Sequence, residues 1–347
     1  MTDQQRVYHL ALRELHGAAG AVSGIAHGWS LPFHYGNTEA EYAALRTAAV
    51  VTDASYRSRF LLSGTDALDV LKATFAGYLG ELDEGRSMRT VALDDEGRID
   101  DLVLISRTGG ISYFVSGDAA RRFPTLERLQ ANVAPDFDVR IDDRTESTCL
   151  ISLAGPAAAQ AAQDHLQGAL PSRLQMLHSV VFEFHGFRTL ATRTSDLGED
   201  GFEFMVAPAV AQHMIETLNA AGVPLAGFEA LETARIESCI PAMFPDLVGL
   251  TPAEADLAAL LGIAGGASSR MLAALLLEAD HTLEAGTPVW SADGTEAGVL
   301  RSCVFSRALS AVVGLAVIET ARAVPGASFT IGGRPAVVTA KPFYRRR

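Results

Sequence analysis

The pair Asp100-Asp101 carries the sharpest chemical signal in the chain. It opens an apolar alternating run, Arg98-Ile99-Asp100-Asp101-Leu102-Val103-Leu104-Ile105. Successive strand residues face opposite ways, so Asp100 shares a face with Leu102 and Leu104, and Asp101 with Ile99, Val103 and Ile105. Both faces are apolar past the pair, as in a strand covered on both sides. At least one carboxylate must therefore enter low-dielectric surroundings, where an unpaired charge is costly and its pKa rises. That environment suits an acid, a base or a tuned hydrogen-bonding group. It equally suits a carboxylate that caps a turn where the strand begins.

Other chemistry-bearing residues are scattered. Glu199 lies in the acidic loop Gly198-Glu199-Asp200-Gly201, where solvation alone accounts for a carboxylate. Arg235 falls in an expected helix over Phe228–Ser238, three residues after Glu232, the spacing of a surface salt bridge. Arg57 and Arg59 have the spacing of side chains pointing outward from an exposed strand, with Tyr56 beside them. The nine histidines form no metal constellation: His27 and His34 are irregularly placed and no Cys-x-x-Cys accompanies them. No Gly-x-Ser-x-Gly, Gly-rich dinucleotide fingerprint or Walker motif occurs, which argues against an esterase-type nucleophile and against nucleotide binding.

The chain's 347 residues suffice for two or three domains with a sizeable core. Hydrophobic residues at 48% and charged residues at 20% place it among globular proteins. A formal charge of −13 argues against nucleic acid as a partner; the basic cluster Arg345-Arg346-Arg347 reads as a solvated tail. Cys149, Cys239 and Cys303 are odd in number and far apart, so no disulfide framework follows. No apolar stretch is long enough to span a bilayer and residues 1–16 resemble no targeting signal, so the expectation is a cytoplasmic protein.

The elements that must position these residues are short. Helices are expected over Glu39–Ala49, with Tyr42, Leu45 and Arg46 on one face, and from Ala67 through Leu71, with Thr65 or Asp66 as N-cap. Further helices are expected over Ala119–Ala131, Ala157–Leu166 and Ala209–Ala221. Strands are expected at Ser58–Leu62, Cys149–Leu153, Val180–Phe184, Arg188–Arg193 and Phe202–Val206. Met88–Leu93 and Arg98–Ser106 form a hairpin around Asp94-Asp95-Glu96-Gly97. The alternation of strands and covering helices indicates an α+β fold. A Gly/Ala/Ser run near Gly262–Ser269 reads as a linker, and the Gly- and Pro-punctuated strands beyond it suggest a small β-barrel.

The stretch Gly28-Trp29-Ser30-Leu31-Pro32-Phe33-His34-Tyr35-Gly36 continues through Glu41-Tyr42-Ala43-Ala44-Leu45-Arg46-Thr47 to Asp53-Ala54-Ser55. It resembles the amino-terminal signature of the T-protein of the glycine cleavage system, an aminomethyltransferase that hands a one-carbon unit to tetrahydrofolate. Gly155-Pro156, Gly198-Glu199-Asp200-Gly201-Phe202-Glu203, Arg235-Ile236-Glu237, Thr251-Pro252 and Lys341-Pro342-Phe343-Tyr344 extend the likeness over nearly the whole chain; residues 257–275 form a shorter segment than the resemblance implies. The resemblance implies a three-lobed fold: antiparallel sheets with covering helices in a folate-binding region over 1–265, formed of two interleaved α+β lobes, and a C-terminal β-barrel over 270–347. It also implies roles. Asp100, first of the Gly-x-Ile-Asp-Asp aspartates, would be the catalytic acid that hydrogen-bonds the reacting folate nitrogen. Glu199 would accept two parallel N–H bonds from the pterin edge, and Arg235 would bind folate. Tyr56, His34 and Tyr35 would line the substrate side, although His34 also suits a purely structural role.

The chain departs from the family at several of these places. Met88 replaces an aromatic that contacts folate, Asp196 replaces the tyrosine of the Glu199 loop, and Tyr56, Arg57 and Arg59 follow Asp53-Ala54-Ser55 where Ser-His-Met is common. Residues 301–307 replace a Thr-Ser-Gly-x-x-Ser-Pro turn. Two lost aromatic walls remove stacking worth about 1 kcal/mol each, so folate binds less tightly or the site is recut. A lipoylated carrier protein is itself acidic, so net repulsion argues against it as partner and for a free small molecule. The expected function is thus a tetrahydrofolate-dependent one-carbon transferase or demethylase of a small N-, S- or O-methyl compound. The alternatives are a non-catalytic folate-binding protein of the iron–sulfur assembly type, of whose motif only Cys239 is present, or an enzyme on this scaffold that has lost folate.

Overall fold

The computed structural model describes residues 6–166, 174–263 and 265–345. It divides into two compact units, one formed by Met1–Ala92 and Asp101–Leu231, the other by Leu93–Asp100 and Glu232–Arg347.

The first unit carries two five-stranded sheets and a small three-stranded one. One large sheet runs in the order Ser179–Phe184, Phe187–Thr194, Gly201–Val206, Cys149–Ala154, Val50–Asp53, and its pairings are antiparallel. In Gly201–Val206, Phe202 and Phe204 join the core formed with helices Ala158–His165 and Pro208–Ala220, which contribute Ala162, Met214, Ile215 and Leu218. The pleat therefore sends Glu203, between the two phenylalanines, to the opposite face. Glu203 pairs in register with Ser152 and Thr192.

The other large sheet runs Ser87–Leu93, Ile99–Gly109, Ser112–Gly117, Ser58–Ser63, Arg140–Asp143. Its core holds Phe60, Leu62, Val103, Ile105, Tyr113 and Val115 beneath helix Ala67–Thr74 and Leu129 of helix Arg122–Ala131. The expected hairpin is present. Asp94 caps its turn through the N–H groups of Glu96 and Arg98, and Gly97 takes φ +75°. The small sheet joins Tyr8–His9, Trp29–His34 and Val22–Ala26, with Tyr8 stacked on Trp29 at 5.2 Å.

Two local expectations need correction. Helix Ala67–Thr74 begins without a side-chain cap from Asp66, whose carboxylate instead accepts the Asp138 N–H at 2.7 Å. Arg57 and Arg59 do not point outward from an exposed strand. Strand Ser58–Ser63 is bordered by Ser112–Gly117 and by Arg140–Asp143, so it is interior to its sheet. Arg59 is fully buried and donates to the carbonyls of Ser55, Arg57, Thr145 and Thr148 and to the Thr148 hydroxyl.

The second unit contains a closed barrel in the order Arg270–Leu277, Ala311–Glu319, Glu296–Ser306, Pro288–Ser291, Ser328–Ile331, Arg334–Thr339. Closure removes free strand edges, and the interior is filled by Leu275, Leu300, Val312, Ile318, Ile331 and their neighbours. Within this unit Glu237 accepts from the Ser306 hydroxyl at 2.7 Å. Among the described residues no helix is long and apolar enough to cross a membrane.

Candidate functional site

Glu199 is a loop carboxylate that is not solvated. Gly198, at φ +76°, turns the chain through the left-handed region that glycine tolerates best. Asp200 then grips Arg193 in a two-pronged pair at 2.8 and 2.7 Å, fixing the loop between strands Phe187–Thr194 and Gly201–Val206. Glu199 ends up 2% exposed. Its Oε1 accepts from Arg46 Nη1 at 3.1 Å, and the same nitrogen reaches the Leu197 carbonyl at 3.0 Å. Arg46 projects from helix Thr38–Thr47, the same face that buries Tyr42 and Leu45. The second oxygen, Oε2, is buried and has no hydrogen-bond partner among the described residues. An orphaned acceptor costs about 1–3 kcal/mol, and native proteins carry few of them.

A second cluster begins on the same loop. Asp196 bonds Arg89, and its other oxygen lies 3.6 Å from Arg57. Arg57 in turn bonds Glu203, the carboxylate that alternation turned away from the Phe202–Phe204 core. Burial, then the neighbouring Arg57, push the Arg89 guanidinium down to about 10. Met88, next to Arg89, packs partly buried against the core of its sheet.

The aromatic motif around Tyr35 serves a buried relay. The Tyr35 hydroxyl meets His16 Nδ1 at 2.8 Å, and His16 Nε2 meets Asp53 Oδ2 at 3.0 Å. Burial, with Asp53 and Glu41 nearby, pushes the Tyr35 phenol well above its ordinary range, so it stays protonated. Glu41 clamps the same region by accepting the N–H groups of Tyr35 and Gly227. His34 Nδ1 accepts the Gly36 N–H at 3.1 Å, a local turn contact. Tyr56 stacks on His27 at 5.6 Å and meets the edge of Phe228. With Tyr35, Asp53 and Phe228 it lines a cavity of about 10 Å³, room for one water.

Of the paired aspartates, Asp101 is fully buried and Asp100 half-buried. Asp101 accepts from the Thr125 hydroxyl at 2.7 Å and the Asp118 N–H at 3.2 Å. Burial outweighs these bonds and pushes its carboxyl up to about 7. In the second unit, Arg235 is not the exposed i−3 pair that its spacing suggests. It is 7% exposed and holds Glu232 through Nε and Nη2 at 2.7 and 2.6 Å. Its Nη1 reaches Asp246 at 2.6 Å, and Asp246 Oδ1 is buried with no partner among the described residues. Burial pulls Arg235 down, but Asp246 and Glu232 outweigh it and hold the guanidinium charged.

The first unit thus brings Glu199 and Asp196 together on one loop, with Arg57 and Arg89 beside Asp196. Tyr35 joins a separate relay. Spacing missed Arg46, Arg89, Glu203, His16, Asp53 and Asp246. Arg46 left one signal, an arginine on the apolar face of its helix.

Residues 12–265 match the GCVT N-terminal domain and residues 270–345 the glycine cleavage T-protein C-terminal barrel domain. An aminomethyltransferase of Rubrobacter xylanophilus is 31% identical over 97% of this chain and 94% of its own length. That of Saccharopolyspora erythraea is 29% identical over 96% and 97%. The crystal structure of glycine cleavage system aminomethyltransferase T from Bartonella henselae superposes with a TM-score of 0.89 at 22% identity, covering 98% of this chain and 99% of that one, and so shows the same fold. The chain belongs to the glycine cleavage T-protein family, whose members are one-carbon transferases that use tetrahydrofolate.

Proposed function

We propose that this protein transfers a one-carbon group between a free small molecule and tetrahydrofolate. The observation that carries the folate half is the orphaned Oε2 of Glu199. A buried carboxylate held by Arg46 through one oxygen, with the other unspent, fits a ligand edge that presents adjacent N–H donors, as a pterin does. Tetrahydrofolate would supply the nucleophilic nitrogen that accepts the carbon. Glu199 would hold and orient the ring, and for Asp100 the resemblance implies a hydrogen bond to the reacting nitrogen that tunes its nucleophilicity. Arg235, its Nε, Nη2 and Nη1 given to Glu232 and Asp246, would order those two carboxylates rather than offer folate a free positive charge.

The small-molecule half rests on charge and on the recut positions. A chain of net charge −13 repels an acidic carrier protein unless a basic patch intervenes. Asp196, paired with Arg89, stands where the resemblance implies a tyrosine, which would recut the site for another ligand.

Calorimetric titration with tetrahydrofolate tests the reading. Saturable binding in the micromolar range is expected. Glu199→Gln should weaken it about tenfold or more, because the amide turns donors toward donors. No heat at high micromolar ligand, or an unchanged affinity in Glu199→Gln, sinks it.

A further inference from the structure

Charged residues from distant segments meet at one spot. Arg57 and Asp196 stand where the resemblance implies other residue types, and Arg89 lies on the strand face opposite Met88, which packs into the core of its sheet. In the fold Arg57, Arg89 and Asp196 form one cluster, closed off by Glu203.

The four charges are not equivalent. The Glu203 side chain is 6% exposed and fixed in the middle of a strand. Asp196 is 28% exposed and rides on the loop ahead of Glu199. Arg57 and Arg89 lie between, at 19% and 23%. Glu203 alone leaves the two guanidiniums with one uncompensated positive charge, and Asp196 supplies the missing negative one. Its two oxygens address one nitrogen of each arginine, so the carboxylate bridges two cations. The lowered Arg89 shows the cost of that cation pair when buried.

We infer that Arg57 and Arg89 form the carboxylate-recognition site for the one-carbon donor, with Asp196 as an internal counter-ion that the donor's own carboxylate displaces. The donor is then a small methyl-bearing carboxylic acid. This rests on the reading of the protein as a small-molecule one-carbon transferase. Exchange of one carboxylate for another preserves charge balance at the arginines, so the net gain comes from the donor's remaining contacts. A neutral analogue would leave Asp196 in place and bind without that anchor. A carboxylate is favoured over a phosphate because the group already held between the two arginines, Asp196, is planar and singly charged with two oxygens.

Ligand-observed NMR titration of the full chain tests the inference, with methoxyacetate against methoxyacetamide and methyl phosphate. Methoxyacetate should bind about tenfold more tightly than the amide. Asp196→Asn should tighten methoxyacetate several-fold, about 3–10, by removing the competing charge, and leave the amide unchanged. Arg89→Gln should abolish the preference. Arg57→Lys, which keeps the charge and loses the fork, should weaken it, so the outcome survives a poorly folding Arg89 variant. Equal binding of acid and amide, stronger binding of methyl phosphate, or an Asp196→Asn variant with unchanged or weaker methoxyacetate affinity each overturns the site. Parallel titration of the unaltered chain with tetrahydrofolate separates the two ideas. Absent folate binding with intact acid selectivity defeats the folate reading alone, and the converse defeats the carboxylate site alone.

Discussion

The Thr125 hydroxyl donates to Asp101 Oδ2 across 2.7 Å, tying helix Arg122–Ala131 to strand Ile99–Gly109 at a fully buried carboxyl. Burial raises that carboxyl to about 7, so the folded chain holds a proton there that the unfolded chain releases near the ordinary aspartate value. Between about pH 4 and about 7 the native state binds more protons than the unfolded state, and stability falls as pH rises through that window. Above about 7 both states are ionised and the contribution is lost. In Asp101→Asn the amide keeps a neutral group in place, so this slope should vanish. The stability difference between the two proteins should shift by on the order of a few kcal/mol across the window. Urea unfolding at pH 5, 6, 7 and 8 measures it; parallel pH profiles would refute the assignment.

Asp100 should behave differently. Its face of the strand is the other one, and it is half-buried rather than sealed. Asp100→Asn should lower turnover about a hundredfold or more, the range for loss of a positioned proton acceptor, with an unchanged melting temperature. Asp101→Asn should keep most of its turnover. Equal losses of activity in both variants, or full activity in Asp100→Asn, would remove Asp100 from the chemistry.

What the sequence made legible was local. Alternation from Ile99 to Ile105 exposed the problem of two carboxylates on apolar faces, and the structure resolves it by burying Asp101 under Thr125. The turn residues Asp94 and Gly97 marked the hairpin, and the 3.6-residue pattern marked helix Thr38–Thr47. What stayed hidden depends on pairings between distant segments. Arg89 and Asp196 are 107 residues apart and Arg46 and Glu199 are 153 apart. The interior position of Arg59 follows only once Ser112–Gly117 and Arg140–Asp143 flank its strand. Helical spacing linked Arg235 to Glu232 but left out Asp246, which reaches it from a separate segment.

The cysteines should be inert in the native state. Burial pushes Cys149 up to about 12 and Cys239 up to about 11, and raises Cys303 as well. The thiolate is the reactive form, so a maleimide reagent at pH 7.5 should label native protein slowly and denatured protein at all three thiols. Cys239→Ser should retain turnover. Rapid native labelling of Cys239 would reopen a role of the kind its counterpart has in folate-binding iron–sulfur assembly proteins.

Arg46 is the support on which the folate reading depends. Its guanidinium gives the sealed Glu199 carboxylate a counter-charge at 3.1 Å and ties the loop through the Leu197 carbonyl. Arg46→Met preserves much of the packing beside Tyr42 and Leu45 but strands a buried negative charge. Loss of one partner of a buried pair costs about 3–5 kcal/mol, whereas replacing both is often near neutral. The single variant should therefore unfold at markedly lower urea, and the double variant Arg46→Met/Glu199→Gln should recover most of that loss. The two proteins should still share one functional defect, because each lacks an ionised, oriented acceptor for tetrahydrofolate. Rescue of stability without rescue of folate affinity is the expected result. If Arg46→Met loses stability but binds tetrahydrofolate as well as the unaltered chain does, the pair is only structural and Glu199 does not hold the pterin.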